Sequence, residues 1–287
     1  MILVDFSQIM VSNAMINMDK KETTVNEDLL RHQILNSLRQ IKVDYGKEFG
    51  EMVICADDRH YWRRDIFPYY KALRKESRDE SPIDWHQVYG VLNKIRDEIK
   101  DNFPYRVIRV EKAEADDVIG VLTKEFGVQL MNDDSEKILI VSSDKDFQQL
   151  QKYANVKQWS TIQKKWVRVD DPHAYLKEHI IRGDRGDGVP NILSEDSAIV
   201  SHSRQSPILS KKLEQWLNQE PQDFCEGDML RNYKRNEQLV DLEQVPDEIA
   251  QEILDKYYNY NIPKKNGLLN YFIKNRLKNL MEVIGDF

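Results

Sequence analysis

Cysteine is nearly absent, with two residues in 287. Cys55 and Cys225 stand far apart and neither belongs to a CxxC pair, which excludes a disulfide framework and a cysteine zinc site and suits a reducing cytosol. No apolar run approaches the ~18 residues of a membrane span. The N-terminus lacks the basic flank, apolar segment and small-residue cleavage site of a signal peptide. A cytoplasmic protein with no membrane partner is therefore expected. Internal repeats and low-complexity tracts are missing too. Positive charge is in deficit, with 42 Lys and Arg against 49 Asp and Glu for a net charge of −7, whereas phosphate binders are usually basic. That balance counts every acid a metal site would neutralise. Setting aside the nine candidates named below turns it to +2.

What is present is acid, placed where packing would not put it. Met1 to Ser7 reads as a buried strand that presents Asp5 at its C-terminal end, followed by a helix through Met18. After a helical pattern from Asn26 to Tyr45, Glu51 to Asp57 repeats the strand-then-acid arrangement. Asp84 to Asp101 is helical on a stripe of Trp85, Val88, Val91, Leu92, Ile95 and Ile99. Pro104 to Val110 alternates as a strand and leads into Glu114, Asp116 and Asp117 at a helix start. Asp133 to Ser135 reads as a loop. Lys137 to Ser142 is a continuous apolar strand that stops at Asp144 and Asp146. Strands alternating with helices predict an α/β fold with a mostly parallel sheet, flanked by helices, whose carboxyl ends form the ligand crevice. Asp5, Asp57, the helix opening with Glu114, and Asp144 with Asp146 all map to that edge.

Each piece alone has an ordinary explanation. Acids in a first helical turn complement the macrodipole, and Asp-x-Asp after a strand is a common loop. Gathered at one edge, their charges repel by several kcal/mol unless a cation lies between them. Hard divalent cations are the usual answer.

Between these motifs lies a basic, aromatic stretch from Arg59 to Arg78. Pro68 suits a first helical turn, which would put Arg64, Lys71, Arg74, Lys75 and Arg78 largely on one side with Tyr69 and Tyr70 beside them. Such a helix is either a solvated basic face or a surface that holds a phosphate backbone and stacks unpaired bases. Farther on, Asn155 to Val169 reads as two strands in a small ribbon, and Pro172 to Arg182 as a helix stopped by Gly183. Asp184 and Asp187 face the same way if one helical turn joins them. Helical patterns follow at Ile208–Leu217, Phe224–Leu239, Asp247–Tyr260 and Leu268–Val283, rich in Lys and Arg and without an evident catalytic group.

Taken together, Val4-Asp5, Ala56-Asp57, Tyr70-Lys71-x-x-Arg74, Glu114-Ala-Asp116-Asp117, Ser143-Asp144-x-Asp146 and Gly183-Asp184-x-x-Asp187 resemble the flap endonuclease / 5′ to 3′ exonuclease family, most closely its phage replication members. The resemblance implies a nuclease domain over residues 1–190 with a basic helical arch at about 60–84, then a smaller all-helical domain over 191–287 for duplex and partner binding. It implies a structure-selective phosphodiesterase that removes RNA primers, adjacent DNA or 5′ flaps in lagging-strand replication, with ribonuclease H activity. The substrates implied are RNA–DNA hybrid and nicked or flapped duplex DNA. It implies a monomer in the cytoplasm of a phage's host, with a single-strand-binding protein and a sliding clamp as partners. Two Mg²⁺ ions, replaceable by Mn²⁺, are implied: Asp5, Asp57, Glu114, Asp116 and Asp117 around the first, and Asp144, Asp146, Asp184 and Asp187 around the second. Lys71 and Arg74 would act on the scissile phosphate beside the catalytic Asp116 and Asp144. Arg63, Arg64, Tyr70 and Lys75 would join them in contacting nucleic acid, Tyr70 as a stacking platform.

The family usually continues with Gly-Val-x-Gly-Val/Ile-Gly, a helix-hairpin-helix. Here Gly188 to Ser194 keeps only the first glycine, which implies an altered duplex clamp over Asn191 to Pro207 without K⁺. A PIN-type ribonuclease is shorter and lacks a basic arch, and a Toprim domain needs Glu where this chain has Asp5. A binding scaffold without catalysis would be favoured by loss of acids, and none is lost.

Overall fold

In the computed structural model, which describes residues 1–17, 24–132 and 134–287, six strands form one sheet among the described residues. They are β1 (Ile2–Asp5), β2 (Met52–Cys55), β3 (Arg106–Ile108), β4 (Ile138–Val141), β5 (Val156–Ser160) and β6 (Lys165–Val167), in the order β3-β2-β1-β4-β5-β6. All neighbours run parallel except β6, which is antiparallel to β5. Strands β1, β2 and β4 are buried along their whole length, because parallel strands covered on both faces need apolar side chains on both sides. The chain builds outward from β1 to β2 and β3, then returns to β1's other side with β4 and β5. This reversal opens a crevice at the carboxyl ends of β1 and β4. The predicted ribbon at 155–169 is no separate unit, since β5 pairs with β4 and extends the sheet.

The helices are α1 (Phe6–Asn17), α2 (Glu27–Phe49), α3 (Trp62–Ile66), α4 (Ala72–Asp79), α5 (Trp85–Asn102), α6 (Ala115–Phe126), α7 (Pro172–Arg182), α8 (Ser210–Leu217), α9 (Pro221–Phe224), α10 (Met229–Val240), α11 (Asp247–Tyr258), α12 (Leu268–Lys274) and α13 (Lys278–Met281). Met18, where the sequence reading ends the first helix, and Asp133 of the predicted loop lie outside the described residues. Asn26 starts α2 by accepting from the Leu29 amide at 3.1 Å, and Asp84 starts α5 by accepting from Gln87 at 2.9 Å. Such caps are worth about 1 kcal/mol each.

One face of the sheet packs Ile2, Val4, Ile54 and Leu139 against Leu30, Ile34 and Leu38 of α2 and Leu92, Ile95 and Ile99 of α5. Leu268, Phe272 and Leu280 from α12 and α13 close that layer. On the other face Leu3, Val53 and Ile140 meet Val118, Ile119 and Leu122 of α6, with Leu242, Ile253 and Tyr257 alongside. A third cluster joins α7 to α8, α9 and α10 through Ile180, Ile181, Leu213, Trp216, Phe224 and Tyr233.

Three helical expectations are corrected. Pro68 does not open a helix: the chain turns after α3, and α4 begins only at Ala72, behind Lys71 in a left-handed conformation (φ 53°). The pattern from Phe224 to Leu239 is broken between α9 and α10, where Gly227 takes φ 54°. The pattern from Leu268 to Val283 is broken by Arg276 at φ 55°. Apolar spacing carries through such breaks, so periodicity alone cannot locate them.

Candidate active site

The acids arrive at the crevice as strand ends and helix caps. Asp5 closes β1; its Oδ1 accepts from the Gln8 amide at 3.0 Å and its Oδ2 from the Ser142 hydroxyl at 2.8 Å. The Ser142 contact ties the ends of β1 and β4 together across the reversal. Asp57, just past β2, accepts from the Ala115 amide at 2.7 Å and so fixes the start of α6. Asp144 caps the 3₁₀ segment Lys145–Lys152 by accepting from the Asp146 amide at 2.9 Å. Burial pushes Asp5 up to about 7, helped by the charges of Asp57 and Asp144. Burial likewise raises Asp116 well above the usual carboxylate range, with Asp144, Asp5 and Glu114 adding to it against Lys71. Asp57 is raised by burial and by Glu114. These shifts describe one cluster with more negative charge than its cations offset.

Two members of the sequence-derived set are spent on structure. Asp117 is completely buried; its Oδ2 accepts from the Glu114 amide at 2.8 Å and the Trp62 indole at 3.1 Å, and its Oδ1 lies 2.7 Å from Arg63 Nη1. It completes a capping box with Glu114, and its charge is matched by Arg63. Arg63 is only 1% exposed and is not available to a nucleic acid. Its guanidinium donates to Leu239 O at 2.9 Å and Glu114 Oε2 at 3.0 Å, besides pairing with Asp117.

Tyr70 is corrected as well. It is 3% exposed, and its hydroxyl lies 3.0 Å from Glu114 Oε2 and 3.1 Å from Asp187 Oδ2, its one proton shared between them. It serves as a strut under the arch and offers no stacking face; its neighbour Tyr69 is the exposed ring, at 37%. Lys71 is buried, with its ammonium bonded to Glu114 Oε1 and 3.5 Å from Asp187 Oδ2. Against the cost of burial, Lys71 and Arg63 hold Glu114 below its ordinary value. Arg74 reaches Asp187 Oδ1 at 2.5 Å from a half-exposed position. Arg64 donates to Tyr70 O at 3.2 Å and covers the Tyr61 ring, while Lys75 is exposed. The arch base is locked by backbone: Lys71 N donates to Asp187 O at 2.7 Å, and a Cβ on Gly188 (φ +75°) would sit 2.7 Å from Tyr69 O.

Asp184 and Asp187 do not face the same way, because no helical turn joins them. A β-bridge pairs Asp184 with Val189, and the Asp184 side chain instead caps its own loop, accepting from the amides of Gly186 at 2.7 Å and Asp187 at 3.1 Å. Asp187 turns to Lys71, Tyr70 and Arg74. Asp184 turns to Lys145 and His179, at 2.7 and 3.1 Å from its Oδ2. Although burial opposes it, these two donors hold Asp184 well below the usual carboxylate range. Burial pushes Asp146 up to about 7, with Asp144, Asp184 and Asp187 adding to it.

Sequence reasoning missed Ser142, Lys145, Trp62 and His179. The signal for His179 was its position five residues before Asp184 on the last turn of a helix aimed at the acidic edge. Oδ1 of Asp146 and Nδ1 of His179 are both shut off from solvent without a hydrogen-bond partner. Ligand atoms of Asp146, His179 and Asp184 all lie within 4.8 Å of one another. Orphaned donors beside surplus carboxylate charge fit a divalent cation.

The model of the 5′-3′ exonuclease N-terminal, resolvase-like domain matches residues 2–179. The chain belongs to the 5′-3′ exonuclease family. Residues 172–287 match the model of the T4 RNase H C-terminal region. Ribonuclease H of Enterobacteria phage T4 is 37% identical to this family member over 297 aligned positions, which cover 99% of the chain and 95% of the relative. Two solved structures share the fold at 15% identity. A T5 5′-exonuclease with divalent metal ions (zinc) bound gives a TM-score of 0.62 over 90% of this chain and 98% of that one. A bacteriophage T5 flap endonuclease in a pseudo-enzyme–product complex with DNA and metal ions gives 0.63 over 90% and 97%. As a member of this family the protein is a nuclease, a phosphodiesterase by reaction.

Proposed function

We propose that this protein is a structure-selective 5′ to 3′ nuclease that removes RNA primers, adjacent DNA or 5′ flaps during lagging-strand synthesis. The reading is carried by one observation: a buried lysine, Lys71, is held at the mouth of a carboxylate cluster by a loop that is itself pinned to the second group of acids. Mg²⁺, with Mn²⁺ as a substitute, is the proposed cofactor, held by Asp5, Asp57, Glu114 and Asp116 on one side and by Asp144, Asp146, Asp184 and Asp187 on the other. A pair of such ions supplies Lewis acidity and a deprotonated water at neutral pH.

The chain's own residues do the rest. Lys71 is already desolvated, so its attraction for a phosphate oxygen is not diluted by water. Arg74, half exposed at the rim, can leave Asp187 for a phosphate, and Arg64 and Lys75 extend that cationic rim along the arch. Ser142 and Gln8 hold Asp5 in one orientation. Residues 1–190 are proposed as the catalytic unit and residues 191–287 as the part that follows duplex and meets a single-strand-binding protein or sliding clamp, in a monomer working in the host cytoplasm.

The test is cleavage of 5′-labelled RNA-primed duplex, nicked duplex, 5′ flap and single strand, with Mg²⁺ or EDTA. Short 5′ products that require Mg²⁺, vanish in Asp116→Asn and fall sharply in Lys71→Ala are the expected result. Binding without cleavage in millimolar Mg²⁺ and Mn²⁺ would leave a scaffold in place of an enzyme.

A further inference from the structure

We propose that Gln149 is a positioning residue for cleavage: it hangs the segment that carries Asp144 and Asp146 on the end of α10, the same helix end that holds Arg63, and so sets the spacing between the two groups of acids. The inference rests on the nuclease reading and goes beyond it, because it gives the helical C-terminal part a share in building the active site. The segment Lys145–Lys152 is 3₁₀ helix for eight residues, whereas such runs seldom exceed three or four, their hydrogen bonds being poorly aligned. It therefore needs support from outside. With three residues per turn, Asp146, Gln149 and Lys152 fall along one edge. A shift at Gln149 thus passes to Asp146, one turn away.

Gln149 is only 2% exposed and lies between the buried Phe147 and Leu150. Leucine would pack there without the cost of burying an amide. What the amide adds is direction. Its Nε2 donates to Val240 O at 3.1 Å and its Oε1 accepts from Leu242 N at 2.9 Å. It thereby pairs the two peptide groups that flank Asp241, the residue capping the end of α10, and the reversed amide would satisfy neither. One carbonyl earlier, Leu239 O takes Arg63 Nε at 2.9 Å, and Arg63 in turn holds Glu114 and Asp117. Leu239 and Val240 supply two of the four carbonyls that a helix end leaves without partners, and the negative end of the helix dipole favours the Arg63 charge. Adjacent carbonyls of one helix end are thus taken by the two halves of the site. Beside them, Glu243 Oε1 adds Lys152 Nζ and the Tyr153 hydroxyl, each at 2.8 Å. Asn236, also on α10, donates to Ile180 O at 2.8 Å and Pro190 O at 2.9 Å, which brackets the loop bearing Asp184 and Asp187.

Gln149→Leu keeps most of the volume and removes both bonds. On a 5′ flap its kcat should fall about 10–100-fold, the cost of moving a reacting group by about 1 Å. KM should stay within about twofold, while the Mg²⁺ needed for half-maximal rate rises severalfold. In metal-free protein the amides of residues 145–152 should exchange faster than in wild type. Should Gln149→Leu fold poorly, Glu243→Ala decides: at a part-exposed position it cuts the two neighbouring ties, and the same loss of kcat at unchanged KM is expected at smaller size. A lower melting temperature with kcat, KM and Mg²⁺ dependence all unchanged would make Gln149 a packing residue and overturn the proposal, as would a raised KM at unchanged kcat. The exchange measurement needs no activity, so a wild type that fails to cleave sinks the nuclease reading by itself, and residues 145–152 that exchange no faster in Gln149→Leu sink this one.

Discussion

Replacing Arg63 with methionine keeps most of the side-chain volume and removes a buried charge that the sequence alone assigns to nucleic acid. In the structure that charge pairs with Glu114 Oε2 at 3.0 Å and Asp117 Oδ1 at 2.7 Å and donates to Leu239 O at 2.9 Å. Removing one partner of a buried ionic network costs about 3–5 kcal/mol, because the carboxylates stay behind unpaired. Unfolding entropy of about 2.1 cal/mol/K per residue gives a chain of this length about 0.6 kcal/mol per kelvin. The expected fall in melting temperature is therefore about 5–8 °C, measured by calorimetry without divalent ions. Lys75→Ala, at an exposed position, should move the melt by under about 1 °C and weaken binding to a 5′ flap. If Arg63→Met instead melts within 2 °C of wild type while flap affinity drops severalfold, the reasoning is wrong and Arg63 reaches the nucleic acid.

Other outcomes follow from the same geometry. Asp5, pushed up to about 7, holds a proton in the folded state that the unfolded chain releases near pH 3.9. Metal-free stability should therefore fall as pH rises from about 4 to 7, by up to about 4 kcal/mol shared across the coupled acids. Asp5→Asn should flatten that slope, and an unchanged slope in denaturant titrations would refute the assignment. Gly188→Ala places a methyl 2.7 Å from Tyr69 O at a positive φ. It should cost about 1–3 kcal/mol and speed tryptic cleavage within residues 60–84, which a peptide map will show or deny. Arg74→Ala should lower cleavage at least tenfold while the melt stays within about 1 °C, since half-exposed pairs add little to stability; a large loss of stability would make Arg74 structural.

The strand-then-acid motif was legible because a parallel strand buried on both faces must be an unbroken apolar run, so its end is conspicuous. Asp5, Asp57 and Asp144 could be placed at one edge on that basis, and the sheet carries them there. Adjacent Arg63 and Arg64 were not separable in the sequence. Which of them is buried depends on how five-residue α3 docks against Leu239, a contact between residues far apart in the chain. Tyr70, expected to stack on a base, is buried for the same reason, while Tyr69 is exposed. His179 was hidden because a lone histidine on a helix beside Ile180 and Ile181 looks like core. Its contacts come from Asp146, across the fold, and from Asp184, in a loop whose backbone the sequence left open.

The sheet also sets a timetable. Strand β1 lies at the centre, pairing Ile2 with both Met52 and Leu139, so it waits unpaired until much later chain has been synthesised. Both its faces wait longer still, for Leu242, Ile253 and Tyr257 on one side and Leu268 and Phe272 on the other. Parallel pairing across such separations is slow and leaves apolar edges open to neighbouring chains. In a cell translating this message heavily, yield is governed by how well nascent β1 is shielded, and slower translation or added chaperone should raise soluble product where a more stable active site would not.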